Sequence, residues 1–369
     1  MTFEDLKLIP PLRLALADAG YPAPTPIQVA AIPALLAGRD LLGTAQTGTG
    51  KTAAFALPIL QHLTTTLRTG EVRALVLAPT RELATQLGES FAAYGAHLPD
   101  LHCTVVFGGM GMRAQRRAIE AGLDILVATP GRLLDLAGQG AVRLDSVEHL
   151  VLDEADRMLD LGFFEAVRSI VKRLPKRRQN VLFSATMPPE IERLASQILR
   201  NPLRVQVAPA AAVADQIEQY VIFVEKPHKR AALSRVLADP RVRSAIVFVR
   251  TKHAADRLGA SLRAAGVGNG VLHGDKLQPE RERALSDFTR GFTRVLVATD
   301  VAARGIDIER VSHVINLDIP AVAESYVHRI GRTARAGESG VAISLCASEE
   351  RAFLAAIERL TGQPLTPLR

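Results

Sequence analysis

Short runs of apolar, largely β-branched residues recur along this chain, each separated from the next by a helical pattern. The first part offers Arg73–Ala78, Thr104–Phe107, Asp124–Ala128, His149–Leu152 and Asn180–Phe183. The second offers Tyr220–Val224, Ser244–Val249, Gly270–Leu272, Arg294–Ala298, His313–Leu317 and Gly340–Leu345. A strand that is apolar along its whole length has both faces buried, so the pattern predicts mostly parallel sheets with helices on both faces, an α/β fold. The 369 residues suit two domains, each long enough to bury its own core. Val205–Ala214 is charge-free, rich in alanine and contains Pro209, which marks the junction. The expected organisation is a first domain over 1–207, a linker at 208–214 and a second domain over 215–369. Ile125–Leu136 (ILVATPGRLLDL) and Val295–Ile306 (VLVATDVAARGI) echo one another as a strand followed by an arginine-bearing turn. The echo puts similar turns at the same edge of two related sheets, where open α/β folds bind ligands.

Composition removes several classes of function. The charge-free run Ala19–Gly38 holds Pro22, Pro24, Pro26 and Pro33 and is unfit to cross a membrane as a helix. Glu4 and Asp5 fall where a secretory signal would begin. Two cysteines, Cys103 and Cys346, lie far apart, and the nine histidines show no metal-ligand spacing. No disulfide framework or zinc site is expected, and the compartment is a reducing, cytoplasmic one. The net charge of +7 suits a polyanion partner. With no Trp and 4% aromatic residues, such a partner would be held by its backbone rather than by stacked bases.

Ala45-Gln46-Thr47-Gly48-Thr49-Gly50-Lys51-Thr52 has the form of a phosphate-binding loop, with Ala in the first glycine position. Its glycines let backbone N–H groups turn toward phosphate oxygens, Lys51 reaches the β- and γ-phosphates, and the Thr52 hydroxyl suits Mg²⁺. A flexible Gly/Thr loop before a helix would read the same way in isolation. The second element is Val151-Leu152-Asp153-Glu154-Ala155-Asp156, carboxylates arriving directly from an apolar strand. Unpaired carboxylates there are costly. Asp153 suits Mg²⁺, and Glu154 suits orienting and deprotonating an attacking water. An acidic helix N-terminus held by the helix dipole is the alternative, and the neighbouring phosphate loop weighs against it.

With both elements present, the sequence resembles the DEAD-box ATP-dependent RNA helicases from Phe3 to about Gly340, most like the bacterial RhlE-type branch. The resemblance implies two tandem RecA-like domains that use ATP and Mg²⁺, with RNA as partner. It implies that Phe3, Thr25 and Gln28 (in GYPAPTPIQ) recognise adenine. It places Pro79, Thr80 and Arg81 (PTREL), Gly109, and Thr129 and Arg132 (TPGR) on RNA. Ser184 and Thr186 (SAT) would couple nucleotide state to strand separation. In the second domain Arg250, Gln278, Arg281, Thr299 and Asp300 would face RNA and Asp307 the nucleotide, while Arg304 would bridge the domains. From His328-Arg329-Ile330-Gly331-Arg332-Thr333-Ala334-Arg335, the resemblance makes Arg332 and Arg335 arginine fingers, with Lys51, Asp153 and Glu154 as the other catalytic groups. Ala334 departs from the family's commoner Gly, and Leu277 stands where many members carry a polar residue.

The expected activity is RNA-stimulated ATP hydrolysis coupled to domain closure, with local, non-processive separation of short duplexes or remodelling of RNA–protein complexes. A monomer is expected, with protein partners from RNA decay or ribosome assembly. An ATP-controlled RNA clamp uses the same residues, and intact Glu154 favours turnover over it. A DNA helicase is disfavoured by Gln28 and the DEAD wording, and a small-molecule kinase by the second-domain motifs. The cluster Lys172, Arg173, Lys176, Arg177 and Arg178 reads as a solvated helix end.

Overall fold

The computed structural model describes residues 1–45, 49–98, 101–206, 217–300, 311–333 and 340–368. The chain divides into two compact units, Met1–Val207 and Ala208–Arg369. The segment 208–214 lies outside the described residues.

The first unit contains β1 (Leu41–Thr44), β2 (Ala74–Leu77), β3 (Cys103–Val106), β4 (Ile125–Ala128), β5 (His149–Leu152), β6 (Gln179–Ser184) and β7 (Leu203–Gln206). Among the described residues these form one sheet in the order β3-β4-β2-β5-β6-β1-β7, every pairing parallel. Side chains of one strand point alternately to opposite faces, and the apolar runs feed two cores accordingly. In β4, Ile125 and Val127 pack with Phe55, Leu57 and Leu87 on one face. Leu126 and Ala128 pack with Leu133, Leu136 and Ile170 on the other. Helices Lys51–Thr65 and Arg81–Tyr94 thus cover the first face, and Pro130–Gly138 and Phe164–Arg173 the second. Each fully buried aliphatic contributes about 1.5–3 kcal/mol, so continuous apolar strands are stable only when sandwiched in this way.

The second unit contains β8 (Ile217–Phe223), β9 (Ala245–Phe248), β10 (Asn269–Leu272), β11 (Val295–Ala298), β12 (His313–Asn316), β13 (Gly340–Cys346) and β14 (Thr366–Pro367). Its sheet runs β10-β11-β9-β12-β13-β8-β14, also parallel throughout among the described residues. The two orders correspond strand for strand. The echoed segments begin with β4 and β11, each second in its sheet. Here too alternation serves two cores, with Leu296 and Ala298 on one face and Val295 and Val297 on the other.

Three strands depart from the apolar runs read in the sequence. β14 is only two exposed residues. β7 takes Val205 and Gln206 out of the charge-free stretch read as a junction, because Val205 finds a buried place opposite Gly43. β1 is four residues long and carries Gly43, which lowers its apparent strand character. That glycine is required by packing: a Cβ there would lie 2.2 Å from the ring of Phe183, which is itself fully buried and 6.0 Å from Phe55. No helix among the described residues is long and apolar enough to cross a membrane.

In an open strand Gly→Ala gains stability by restricting the unfolded chain. Gly43→Ala is expected to do the opposite and cost about 1–3 kcal/mol, the usual penalty for overpacking. Urea denaturation of the variant beside the parent checks the sign.

Candidate functional site

Because all strands of the first sheet run the same way, the segments leaving their carboxyl ends share one edge. The predicted phosphate, metal and coupling elements follow β1, β5 and β6, three neighbours in the sheet, and the predicted RNA elements of this unit follow β2, β3 and β4, the adjoining three.

Above β1, Ala45 is buried and its N–H donates to the Ser184 carbonyl at 3.1 Å. Thr49 and Gly50 lead into the helix Lys51–Thr65, on which Lys51 is buried and Thr52 partly so. Gly50 has φ +90°, the left-handed region that favours glycine, and a Cβ there would lie 2.6 Å from Gln28 Nε2 and 2.8 Å from Thr25 Oγ1. Gln28 is fully buried. Its Oε1 accepts from the Thr25 N–H at 2.9 Å and its Nε2 donates to the Gly50 carbonyl at 3.1 Å. The amide expected at an adenine edge is therefore already spending one donor and one acceptor tying its own helix to the phosphate loop. Phe3 is half-buried, 6.5 Å from Tyr21 in an edge-on contact.

Above β5, Asp153 is 2% exposed, and its Oδ1 lies 3.4 Å from the Lys51 ammonium with no hydrogen-bond donor on it. Burial pushes this carboxyl above the usual range, against the opposing pull of Lys51. Glu154 follows at φ 54°, ψ 55°, left-handed for a non-glycine residue. Such a conformation costs roughly 1–2 kcal/mol. It turns the chain from strand into the helix Ala155–Asp160, whose first N–H groups, from Arg157 and Met158, bond to the Glu154 carbonyl. The Glu154 carboxylate meets Arg157 Nη1 at 2.8 Å.

Asp156, quoted in the sequence motif without a role, ties these strands together. Its Oδ2 accepts from the Thr186 N–H at 2.8 Å and from the Thr186 hydroxyl at 2.9 Å. Its own N–H donates to Ser184 Oγ at 3.1 Å, and that hydroxyl donates to the Thr186 carbonyl at 2.7 Å. The segment leaving β6 cannot shift without breaking bonds to the segment leaving β5.

Over β2, β3 and β4, Pro79 and Thr80 are buried, and Thr80 caps the helix Arg81–Tyr94 by accepting from the Leu83 N–H at 3.3 Å. Gly109, at φ +87°, leaves room for the Arg81 guanidinium, whose Nη1 would lie 2.2 Å from a Cβ there. Thr129 precedes the helix Pro130–Gly138, and Arg132 Nη1 donates to the Met110 carbonyl at 3.3 Å. Arg81 and Arg132, 51 positions apart in the sequence, thus flank the same 108–110 turn, both partly exposed.

The second unit groups its predicted RNA residues over β9, β10 and β11, again three neighbours. Arg250 is half-exposed, with Nη2 3.3 Å from Glu350 Oε1. Glu350 is buried and ion-paired with the buried Lys229, whose Nζ also donates to the Leu317 carbonyl at 2.7 Å. Four of the residues expected on RNA are found buried or held within the unit. Asp300 does not stand clear for RNA: Arg329, 2% exposed, grips both its oxygens, with Nη2–Oδ2 at 2.7 Å, and stacks 5.0 Å from the Phe248 ring. Gln278 is buried, donating to Glu282 at 3.0 Å, and Arg281 is buried as well. Helix starts packed on a sheet edge bury their first turn, which their motif does not reveal. Thr299 is buried, with its N–H on the Leu272 carbonyl. Arg332 is buried just beyond the helix Ala323–Ile330. Gln46, Thr47, Gly48, Arg304, Asp307 and Arg335 lie outside the described residues.

Comparison with known proteins shows the family and the fold. The DEAD/DEAH box helicase family matches residues 25–194, and the helicase conserved C-terminal domain matches residues 228–337. The chain is 47% identical over 365 residues to the ATP-dependent RNA helicase DeaD of Mycobacterium tuberculosis, covering 99% of this chain and 64% of that protein. It is 43% identical to the ATP-dependent RNA helicase CshA of Limosilactobacillus reuteri, over 100% of this chain and 74% of the relative. Against the first of these it therefore spans a little under two thirds of the relative's length. Saccharomyces cerevisiae Dbp5 bound to RNA and ADP BeF3 has the same two-domain fold, at 34% identity and TM-score 0.89, over 100% of this chain and 95% of that one. Mss116p bound to ssRNA and AMP-PNP matches at 28% identity and TM-score 0.89, over 100% and 80%. The two bacterial relatives carry the names DeaD and CshA rather than that of the RhlE-type branch.

Removing one partner of a buried ion pair leaves the other uncompensated, at a cost of about 3–5 kcal/mol. Glu350→Ala is expected to destabilise the second unit by that amount by stranding Lys229, as measured by chemical denaturation.

Proposed function

The chain belongs to the DEAD/DEAH-box helicase family, and from that premise we propose that it is an ATP-dependent RNA helicase that separates short duplexes locally rather than processively. What supports the reading is that the residues expected to take nucleotide phosphate and those expected to take RNA gather over two adjoining halves of one sheet edge, with Asp156, Ser184 and Thr186 hydrogen-bonded together in the first half.

Each residue's task follows from its surroundings. Backbone N–H groups at the start of the helix Lys51–Thr65 receive phosphate oxygens, and Lys51 follows the terminal phosphates. Asp153 and Thr52 suit a hard divalent cation, because Asp153 offers a buried carboxylate oxygen that no donor satisfies. Bound there, Mg²⁺ supplies charge neutralisation to the phosphates. Glu154, aimed by its strained backbone and by Arg157, takes the proton of the attacking water. Arg332 and Arg335 supply positive charge to the γ-phosphate when the units close. Gln28 senses the adenine through the hydrogen-bonding capacity that Thr25 and Gly50 leave over, and Phe3 contributes the apolar face. Asp307 takes the ribose, and Arg304 bridges the units.

Arg81, Arg132, Thr129 and Gly109, with Arg250 and Thr299, hold RNA by phosphate and sugar, so sequence preference is weak and the 2′-OH favours RNA over DNA. Stacking is worth on the order of 1–2 kcal/mol per step, so binding energy released on closure disrupts a few base pairs and not a long duplex. The protein works as a monomer in the cytoplasm, where Cys103 and Cys346 stay free thiols. Burial pushes the Cys103 thiol up to about 12 and raises that of Cys346, so both are poor nucleophiles.

Steady-state ATP hydrolysis with single-stranded RNA, with DNA of equal length and with neither tests the reading. RNA alone is expected to stimulate turnover, and Glu154→Gln to abolish it. Arg332→Ala is expected to lower the stimulated rate by roughly 10³–10⁵-fold, the contribution of an arginine finger. Equal stimulation by DNA would contradict the RNA assignment, and RNA binding without stimulated turnover would leave a clamp.

A further inference from the structure

At the opposite edge of the first sheet, among the amino ends of its strands, three potential metal ligands meet. His62 sits in the last turn of the helix Lys51–Thr65, His149 opens β5, and Glu148 precedes it. One ligand atom from each lies within 4.8 Å of the others. They border an open cavity of about 610 Å³ between the ends of two helices and the start of β6.

The hydrogen bonds prepare two of the three for a cation. Gln179 Nε2 donates to the carbonyls of Leu35 and Arg39 at 2.9 and 2.8 Å, which fixes its Oε1 as the atom facing His149 Nδ1 at 2.9 Å. A carbonyl oxygen only accepts, so Nδ1 carries the proton and Nε2 keeps its lone pair. That Nε2 is buried with no hydrogen-bond partner. A neutral imidazole whose other nitrogen is anchored to a carbonyl is the form in which histidine ligates metals. Glu148 is held likewise, its Oε1 by the buried Arg73 at 2.8 Å, while its Oε2 faces His62 Nε2 at 2.9 Å.

We propose that His62, Glu148 and His149 form a site for a first-row divalent cation of the zinc class, with a coordination position left open to the cavity. Two imidazoles and one carboxylate select zinc-like ions over Mg²⁺, which prefers oxygen. Bond lengths of about 2.0–2.1 Å put tetrahedral ligand atoms roughly 3.4 Å apart, so one ligand must move in by up to about 1.4 Å. His62, at 45% side-chain exposure, is free to swing. Arginines around the cavity oppose a cation, but three of them are engaged: Arg73 by Glu148, Arg178 by Asn180, and Arg200 by the Lys176 carbonyl. Arg177 is exposed, and its charge is spread into solvent. Together these charges weaken the site without abolishing it. A bound ion fastens the end of the helix that begins with Lys51, itself about 16 Å away at 1.5 Å per helical residue, to the start of the strand that leads to Asp153.

The test uses the full chain without an affinity tag and free of nucleotide, titrated with Zn²⁺ alone and with excess Mg²⁺ in a calorimeter, with thermal unfolding in parallel. One equivalent of Zn²⁺ is expected to bind and raise Tm, excess Mg²⁺ not to compete for that equivalent, and Co²⁺ to give the visible absorption of a four-coordinate site. His62→Ala, at the surface and harmless to the fold, is expected to weaken binding at least tenfold and abolish the Co²⁺ spectrum; His149→Gln, checked for folding by circular dichroism, should do the same. Absence of Zn²⁺ binding, or binding unchanged in His62→Ala, overturns the proposal. So does a Tm raised by inorganic phosphate and not by Zn²⁺, which would make the cavity an anion site.

Discussion

Parallel strands are the constraint from which the rest follows. With every strand of the first sheet running one way, each connection must cross over a face, and each strand's exit falls on one edge. Continuous apolar strands force that choice, because only helices on both faces can bury them. The chemistry is then a matter of which exit carries which residues: those expected to take phosphate and metal, with Ser184 and Thr186, leave β1, β5 and β6, and those expected to take RNA leave β2, β3 and β4. Repetition of the same strand order in the second unit puts Arg250 and Thr299 over the matching three strands.

Several costly features of the first unit lie at that edge. Asp153 and Lys51 are buried opposite one another, Glu154 holds a left-handed backbone, and Gly50 leaves no room for a side chain beside Gln28. None is needed for the cores beneath, which close with aliphatic and aromatic residues alone. Strain and buried charge of this kind persist where they serve chemistry. Asp156 converts the cluster into a linkage, since any nucleotide-driven shift at Asp153 or Glu154 moves the acceptor on which Thr186 depends.

Legibility in the sequence followed contiguity. The phosphate loop and the acidic strand end declare themselves because their residues are consecutive. The strands within β4, β5, β9, β11 and β12 could be read because an unbroken apolar run has few other uses. β1 was hidden by Gly43, whose reason is the Phe183 ring 140 positions later. β7 was hidden because an edge strand needs only one buried side chain. The grip of Arg329 on Asp300 and the burial of Gln278 are tertiary outcomes that a motif reports only as polar residues. The His62, Glu148 and His149 cluster shows the same limit most clearly: no spacing rule finds ligands 86 positions apart, brought together by a helix end and a strand start.

The central claim is that nucleotide and RNA are coupled through the linked exits of adjacent strands. RNA affinity measured with and without a non-hydrolysable ATP analogue, in the parent and in Thr186→Val, tests it most directly. The analogue is expected to tighten RNA binding in the parent by about 5–150-fold, the usual range of a coupling between sites. Thr186→Val is expected to lose most of that factor while keeping its affinity for RNA alone. Equal RNA affinity with and without the analogue in the parent, or full coupling retained in the variant, would contradict the claim.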